Sequence, residues 1–131
     1  MNQYVEMKRR QRQEYEKFLV SDLGEEPDRL YCVAPNTYIR KGDFMEFQDM
    51  LDRFAQERED AVAADLDGNG FIFEMFVYEL TAHGYASRRK VEDTLEALGY
   101  TSQEVSGDEH MHHGLMKAAK YVLKKRPARN L

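Results

Sequence analysis

The chain has no tryptophan, one cysteine and only three prolines among its 131 residues. A single thiol, Cys32, excludes an internal disulfide and suits a reducing compartment. Within a predicted strand it reads as a small core residue rather than a nucleophile. No long hydrophobic run exists. The longest, around Phe71 to Leu80, is interrupted by Glu74 and Glu79 and is far too short to cross a bilayer. The opening Met-Asn-Gln-Tyr-Val-Glu-Met-Lys-Arg-Arg lacks the apolar centre of a signal peptide. No repeat, low-complexity tract or linker appears. These absences lead us to expect a soluble, unexported, cytoplasmic protein without a membrane partner, folded as a single domain over 1–131.

What is present is enough apolar residue, 42%, to build a core, and an uneven charge. The net charge is −5. Residues 22–79 hold fifteen acids against five bases, whereas residues 110–131 hold six bases and no acid. Such separation steers charged partners, or brings the two parts together in the fold.

The spacing of apolar residues predicts a helix over 3–19 whose middle, Lys8 to Arg12, has nothing to bury, so that it packs through its ends. Residues 21–28 read as a loop. The runs 30–33 and 37–40, parted by Ala34-Pro35-Asn36, predict a β-hairpin. Asp43 with Glu46 resembles a capping box opening a helix to about Ala64, with Phe44, Phe47, Met50, Leu51 and Phe54 at helical spacing. A nearly all-round apolar helix, 71–83, reads as the central buried one, and Gly84 suits its C-terminal turn. Ser87 is placed to cap a helix over 88–98 that Gly99 closes. Thr101 with Glu104 forms a second capping box, and Asp108 caps a last helix to about Lys125, buried through Met111, Leu115, Ala118, Ala119 and Val122. Residues 127–131 read as a loose tail. The expected fold class is mainly α (α+β), a compact bundle of five or six helices with one small hairpin.

The stretch Asp65-Leu66-Asp67-Gly68-Asn69-Gly70-Phe71-Ile72 matches the first eight positions of an EF-hand calcium loop, with oxygen ligands at positions 1, 3 and 5 and Gly at 6. Asp65, Asp67 and Asn69 would offer side-chain oxygens and Phe71 its carbonyl. Position 12, which should be a bidentate Glu, is Phe76, and no second loop is present to pair with this one. The same residues equally make tight turns with Asp67 or Asn69 capping the next helix. No cofactor is expected on balance, calcium being the alternative.

Other clusters carry less. His110 and His113 share a helical face while His112 points elsewhere, and only Asp108 and Glu109 lie near to complete a metal set. Glu79 and His83, at i and i+4, can touch. Such a pair serves acid–base catalysis or simply satisfies itself, and no nucleophile, metal triad or phosphate loop accompanies it. The lysines from Lys117 to Lys125 and the run Lys8–Arg12 could meet phosphates, but the overall acidity points away from nucleic acid except through a partner complex. The helix over 43–64 presents Glu46, Asp49, Asp52, Glu57, Glu59 and Asp60. An acidic rod of this kind can imitate a phosphate backbone.

The segment Asp67-Gly-Asn-Gly-Phe-Ile-Phe-Glu-Met-Phe-Val-Tyr-Glu-Leu-Thr-Ala-His-Gly-Tyr85 resembles a family of uncharacterised small proteins encoded by phages, prophages and other mobile elements. Val91–Thr101 and Met1–Gln11 are similar to it as well. The chain departs from the family in residues 20–30, where the family has a longer helical insert. In the family a hydroxyl residue tends to replace the second loop acid. The resemblance implies an origin rather than an activity: such proteins commonly bind and disable or redirect a host protein. The reading is therefore a non-catalytic accessory protein in the host cytoplasm. It binds a host protein partner through Glu46, Asp49, Asp52, Glu57 and Asp60, as an inhibitor of a defence system of the anti-CRISPR kind would. A calcium module on the 65–76 loop and a small enzyme using Glu79 and His83 are the alternatives.

Overall fold

A computed structural model of the chain describes residues 2–20 and 27–125. Among them are seven α-helices: α1 (Gln3–Glu16), α2 (Phe44–Ala64), α3 (Phe71–Ala82), α4 (Tyr85–Arg88), α5 (Glu92–Leu98), α6 (Ser102–Ser106) and α7 (Glu109–Lys124). Two strands, β1 (Leu30–Ala34) and β2 (Thr37–Arg40), make one antiparallel hairpin. Over the described residues the protein is mainly α with a single small sheet, as the spacing of apolar residues predicts. Among the described residues no helix is long and apolar enough to cross a membrane. Most of the expected loop over 21–28, and the expected tail over 127–131, lie outside the described residues. The chain divides into two units, Met7–Asp60 and the remainder, Met1–Glu6 with Ala61–Leu131.

In the first of these, the hairpin turns at Pro35-Asn36. Proline presets the backbone for the second turn position, and Asn36 takes φ 58, which Asn tolerates better than most residues. The β1–β2 register shifts between Cys32 and Ala34. Leu19 bridges Ile39, and the Val20 amide donates to the Tyr38 carbonyl at 2.9 Å, so residues beyond α1 extend the sheet instead of the helix. This ends α1 three residues before the expected limit. Ile39, Phe47 and Met50 form the buried centre, with Tyr15, Phe18, Leu19, Val33, Phe44 and Phe54 packed around it. Each fully buried side chain of this kind contributes roughly 1.5–3 kcal/mol.

Two expectations fail here. Cys32 is exposed, its Sγ donating to the Ala34 carbonyl at 3.1 Å. In a two-stranded hairpin one face has no second layer to cover it. Asp43 does not open α2 as a capping box either. It closes a 3-10 turn over Lys41–Asp43 that leads into the helix through backbone bonding.

The other unit is built on α3 and α7, which pack along each other, with α4, α5 and α6 against them. Phe71, Ile72, Met75, Phe76 and Leu80 of α3 are buried, as are Met111, Leu115, Ala118, Ala119 and Val122 of α7. Local chemistry sets most boundaries. Thr101 and Glu104 form the reciprocal capping box, at 3.0 and 2.9 Å. Asp108 accepts from the amides of His110 and Met111. Gly99, at φ 81, lets the Tyr100 amide reach back to the Leu95 carbonyl, a Schellman-type close. The expected helix over 88–98 is interrupted. Tyr85–Arg88 forms one turn, Arg89 swings to φ 58, and α5 starts at Glu92 after Val91, with no side-chain cap from Ser87. Among the described residues the helices therefore number seven, against the expected five or six.

Candidate functional site

The loop between α2 and α3 is the most organised polar feature. Asp65 Oδ2 accepts from the amides of Gly70 at 3.1 Å and Ile72 at 2.9 Å. It thereby gathers the loop and satisfies donors at the start of α3, which otherwise lack intrahelical partners. Asp67 Oδ1 accepts from the Asn69 amide at 2.9 Å, and that bond holds the Asp67 carboxyl below its ordinary pKa. Asn69 Oδ1 receives two donors from α7, Lys117 Nζ at 2.9 Å and His113 Nε2 at 3.0 Å. Since lysine can only donate, the oxygen of the amide faces both groups, and His113 carries its proton on Nε2.

A close backbone approach makes these contacts reachable. Gly68 has φ 77 and is buried against the carbonyl of His110, where any side chain would collide with backbone. A Cβ at Gly114 would lie 2.5 Å from Ile72 Cγ2 and 2.8 Å from the Gly68 carbonyl oxygen. Two glycines thus face each other across the loop and α7. Glycine within a helix costs up to about 1 kcal/mol relative to alanine. Reasoning from the sequence overlooks Gly114, although a glycine amid good helix formers is an available signal.

This geometry fixes where the calcium-loop residues stand. Helix α3 begins at Phe71, so the seventh loop position is already the first helical residue, and its side chain is buried. Phe76, the twelfth, is completely buried. The oxygens of Asp65, Asp67 and Asn69 are directed at backbone amides and, for Asn69, at Lys117 and His113. Among the described residues no three His, Cys, Asp or Glu side chains are grouped to hold a metal ion.

The Glu79–His83 pair is present, His83 Nε2 lying 3.7 Å from Glu79 Oε1. It has a third member that spacing does not reveal: the Tyr4 hydroxyl donates to Glu79 Oε2 at 2.5 Å. Tyr4 is 1% exposed and packs its ring edge-on to Phe71 and against Tyr78. Glu74 complements this contact. Its Oε1 accepts from the Gln3 amide at 2.7 Å, bringing a carboxylate to the positive end of α1, where Asn2 Oδ1 also takes the Val5 amide. Both α3 acids therefore hold the start of α1. An apolar groove of about 410 Å³ lies beside them, lined by Asn2, Val5, Val77, Tyr78, Thr81 and Ala82, and neither Glu79 nor His83 opens into it.

The acidic residues of α2 divide into two groups. Glu57 accepts from Arg10 and from Gln11 Nε2, and Arg10 holds its carboxyl below the ordinary pKa. Glu14 of α1 is bound by Arg53 in the same manner. Asp60 accepts from Gln56 at 2.8 Å. Glu46, Asp49 and Asp52 are exposed and have no basic partner among the described residues. Met45, 71% exposed, lies one turn before Asp49. Arg10, Glu14, Lys17, Phe18, Asp43 and Glu46 also border an open cleft of about 530 Å³.

Two measurements follow from these bonds. Thermal melting in calcium and in chelator should give the same midpoint, while Asp65→Ala should cost about 1–2 kcal/mol in either. A midpoint raised by calcium would show that the loop rearranges around the ion. Tyr4→Phe should cost about 1–3 kcal/mol in denaturant melts, because Glu79 loses a buried donor. An unchanged midpoint would show that the hydroxyl adds nothing.

No curated protein and no solved structure matches the chain. A family model does match, over residues 5–121. That span includes the Asp65–Gly70 loop, both α3 acids and the α7 residues that meet the loop, and the chain belongs to the family of unknown function DUF7659.

Proposed function

We propose that this protein is a non-catalytic binding module that engages a host protein through the acidic face of α2. The observation that carries this reading is the arrangement of charge on Met7–Asp60. Its arginines at positions 10 and 53 are bound to Glu57 and Glu14, leaving Glu46, Asp49 and Asp52 exposed and unneutralised beside an exposed Met45. Like charges repel and cost stability, so a face that keeps them is better explained by an external cation than by folding. An apolar anchor ringed by charge is the composition of a protein contact.

The likeness to small proteins of phages and other mobile elements supplies the setting. The partner is a host protein, and the effect is inhibition or redirection of a defence system of the anti-CRISPR kind. A helix carrying acids along its outer face presents charge as a phosphate backbone does, which favours a partner with a basic channel. Against an enzymatic role, Glu79 is tied to the Tyr4 hydroxyl and sits at a helix contact.

Affinity capture of the tagged chain from host lysate should retain one dominant partner. The triple substitution E46K/D49K/D52K should reduce its recovery by at least roughly tenfold, about 1.4 kcal/mol of binding. Equal recovery by the native and substituted chains would overturn the assignment of this face.

A further inference from the structure

Helix α7 has one buried stripe, through Met111, Leu115, Ala118 and Val122, and one exposed stripe of imidazole and lysine side chains. His110, His113, Lys117, Lys120 and Lys124 recur at helical spacing over fourteen residues, a rise of about 21 Å. No acid lies between His110 and Lys125. Among the described residues the lysines have no carboxylate partner. The ammonium groups of Lys117 and Lys125 are held by neutral groups instead. Lys117 bonds Asn69 Oδ1 and lies 5.6 Å from the centre of the Phe73 ring, and Lys125 lies at the same distance from Tyr121. His113 is turned to the same Asn69 oxygen, so two donors already converge on one acceptor.

We infer that this stripe is a binding surface for the phosphodiester backbone of nucleic acid. Lys117 keeps two N–H donors beyond its bond to Asn69 Oδ1, and Lys120 and Lys124 continue the row along the helix, a line of ammonium groups of the kind that neutralises successive phosphates. The two rings beside it are packed edge to face with each other, and of the two only Tyr121 is largely exposed, at 42%, so the row offers one ring rather than the run of stacking platforms that a splayed strand uses. The occupant is therefore duplex backbone rather than splayed single strand. The acids nearest this helix, Asp65, Asp67, Asp108 and Glu109, gather at its N-terminal end, whereas the stretch from Lys117 to Lys125 carries none. This surface is built from other residues than the acidic face of α2, and either proposal can fail without the other.

The test is fluorescence anisotropy of a labelled random-sequence DNA duplex, with single strand of equal length as a second arm. Binding should appear at about 50 mM salt and weaken steeply by about 200 mM. The K117Q/K120Q/K124Q chain should bind at least roughly tenfold more weakly, with the salt slope reduced by about 0.9 for each phosphate that is no longer neutralised. K120Q/K124Q, which leaves the Asn69 bond intact, should show a smaller decrease, and circular dichroism confirms that both chains fold. No anisotropy change with the native chain at low salt would overturn the inference. So would equal binding by the triple variant, tighter binding of single strand, or displacement by polyglutamate as effective as by unlabelled duplex.

Discussion

The approach of the Asp65–Gly70 loop to α7 is possible because Gly68 and Gly114 carry no side chain, and much of the larger unit depends on it. The distance between the two backbones sets how deeply Ile72 enters the α3–α7 contact. It places Asn69 where His113 and Lys117 can reach it, and it leaves the start of α3 to be gathered by Asp65. The loop's side-chain oxygens bond amides, a histidine and a lysine.

The second constraint is charge. Carboxylates that the fold uses are each given a partner: Glu74 has the first turn of α1, Glu79 has Tyr4, and Glu57 has Arg10. The exposed pairs add little stability, since solvent screens them. They still determine which charges are left over. The remainder is acidic on α2 and basic on α7, the charge that the two proposed surfaces draw on.

Much of this is legible in the residues. Helical spacing marks α2, α3 and α7, and the caps at Thr101 and Asp108 stand where the sequence puts them because capping is local chemistry. Asp43 misleads because it closes a 3-10 turn in which the Phe44 amide bonds the Lys41 carbonyl, so the helix is entered through the backbone. Ser87 misleads because Arg89 adopts a left-handed conformation that nothing in its neighbours announces. Cys32 reads as core on residue type alone, whereas exposure depends on what covers a strand. Tyr4 and Gly114 act over 75 and 46 residues of sequence respectively, towards Glu79 and Gly68. Contacts of that range are invisible to spacing arguments. In the EF-hand-like stretch the matching positions define a turn, and the helix that follows begins at Phe71.

The most direct measurement is the unfolding midpoint of Gly114→Ala. Helix propensity alone predicts a gain of up to about 1 kcal/mol, because alanine is the better helix former and restricts the unfolded chain. The close approach predicts the opposite sign, a loss of about 1–3 kcal/mol, as the methyl group displaces Ile72 and the Gly68 carbonyl. A lowered midpoint is the result expected from this packing. A raised one would contradict it, and with it the placement of Asn69, His113 and Lys117.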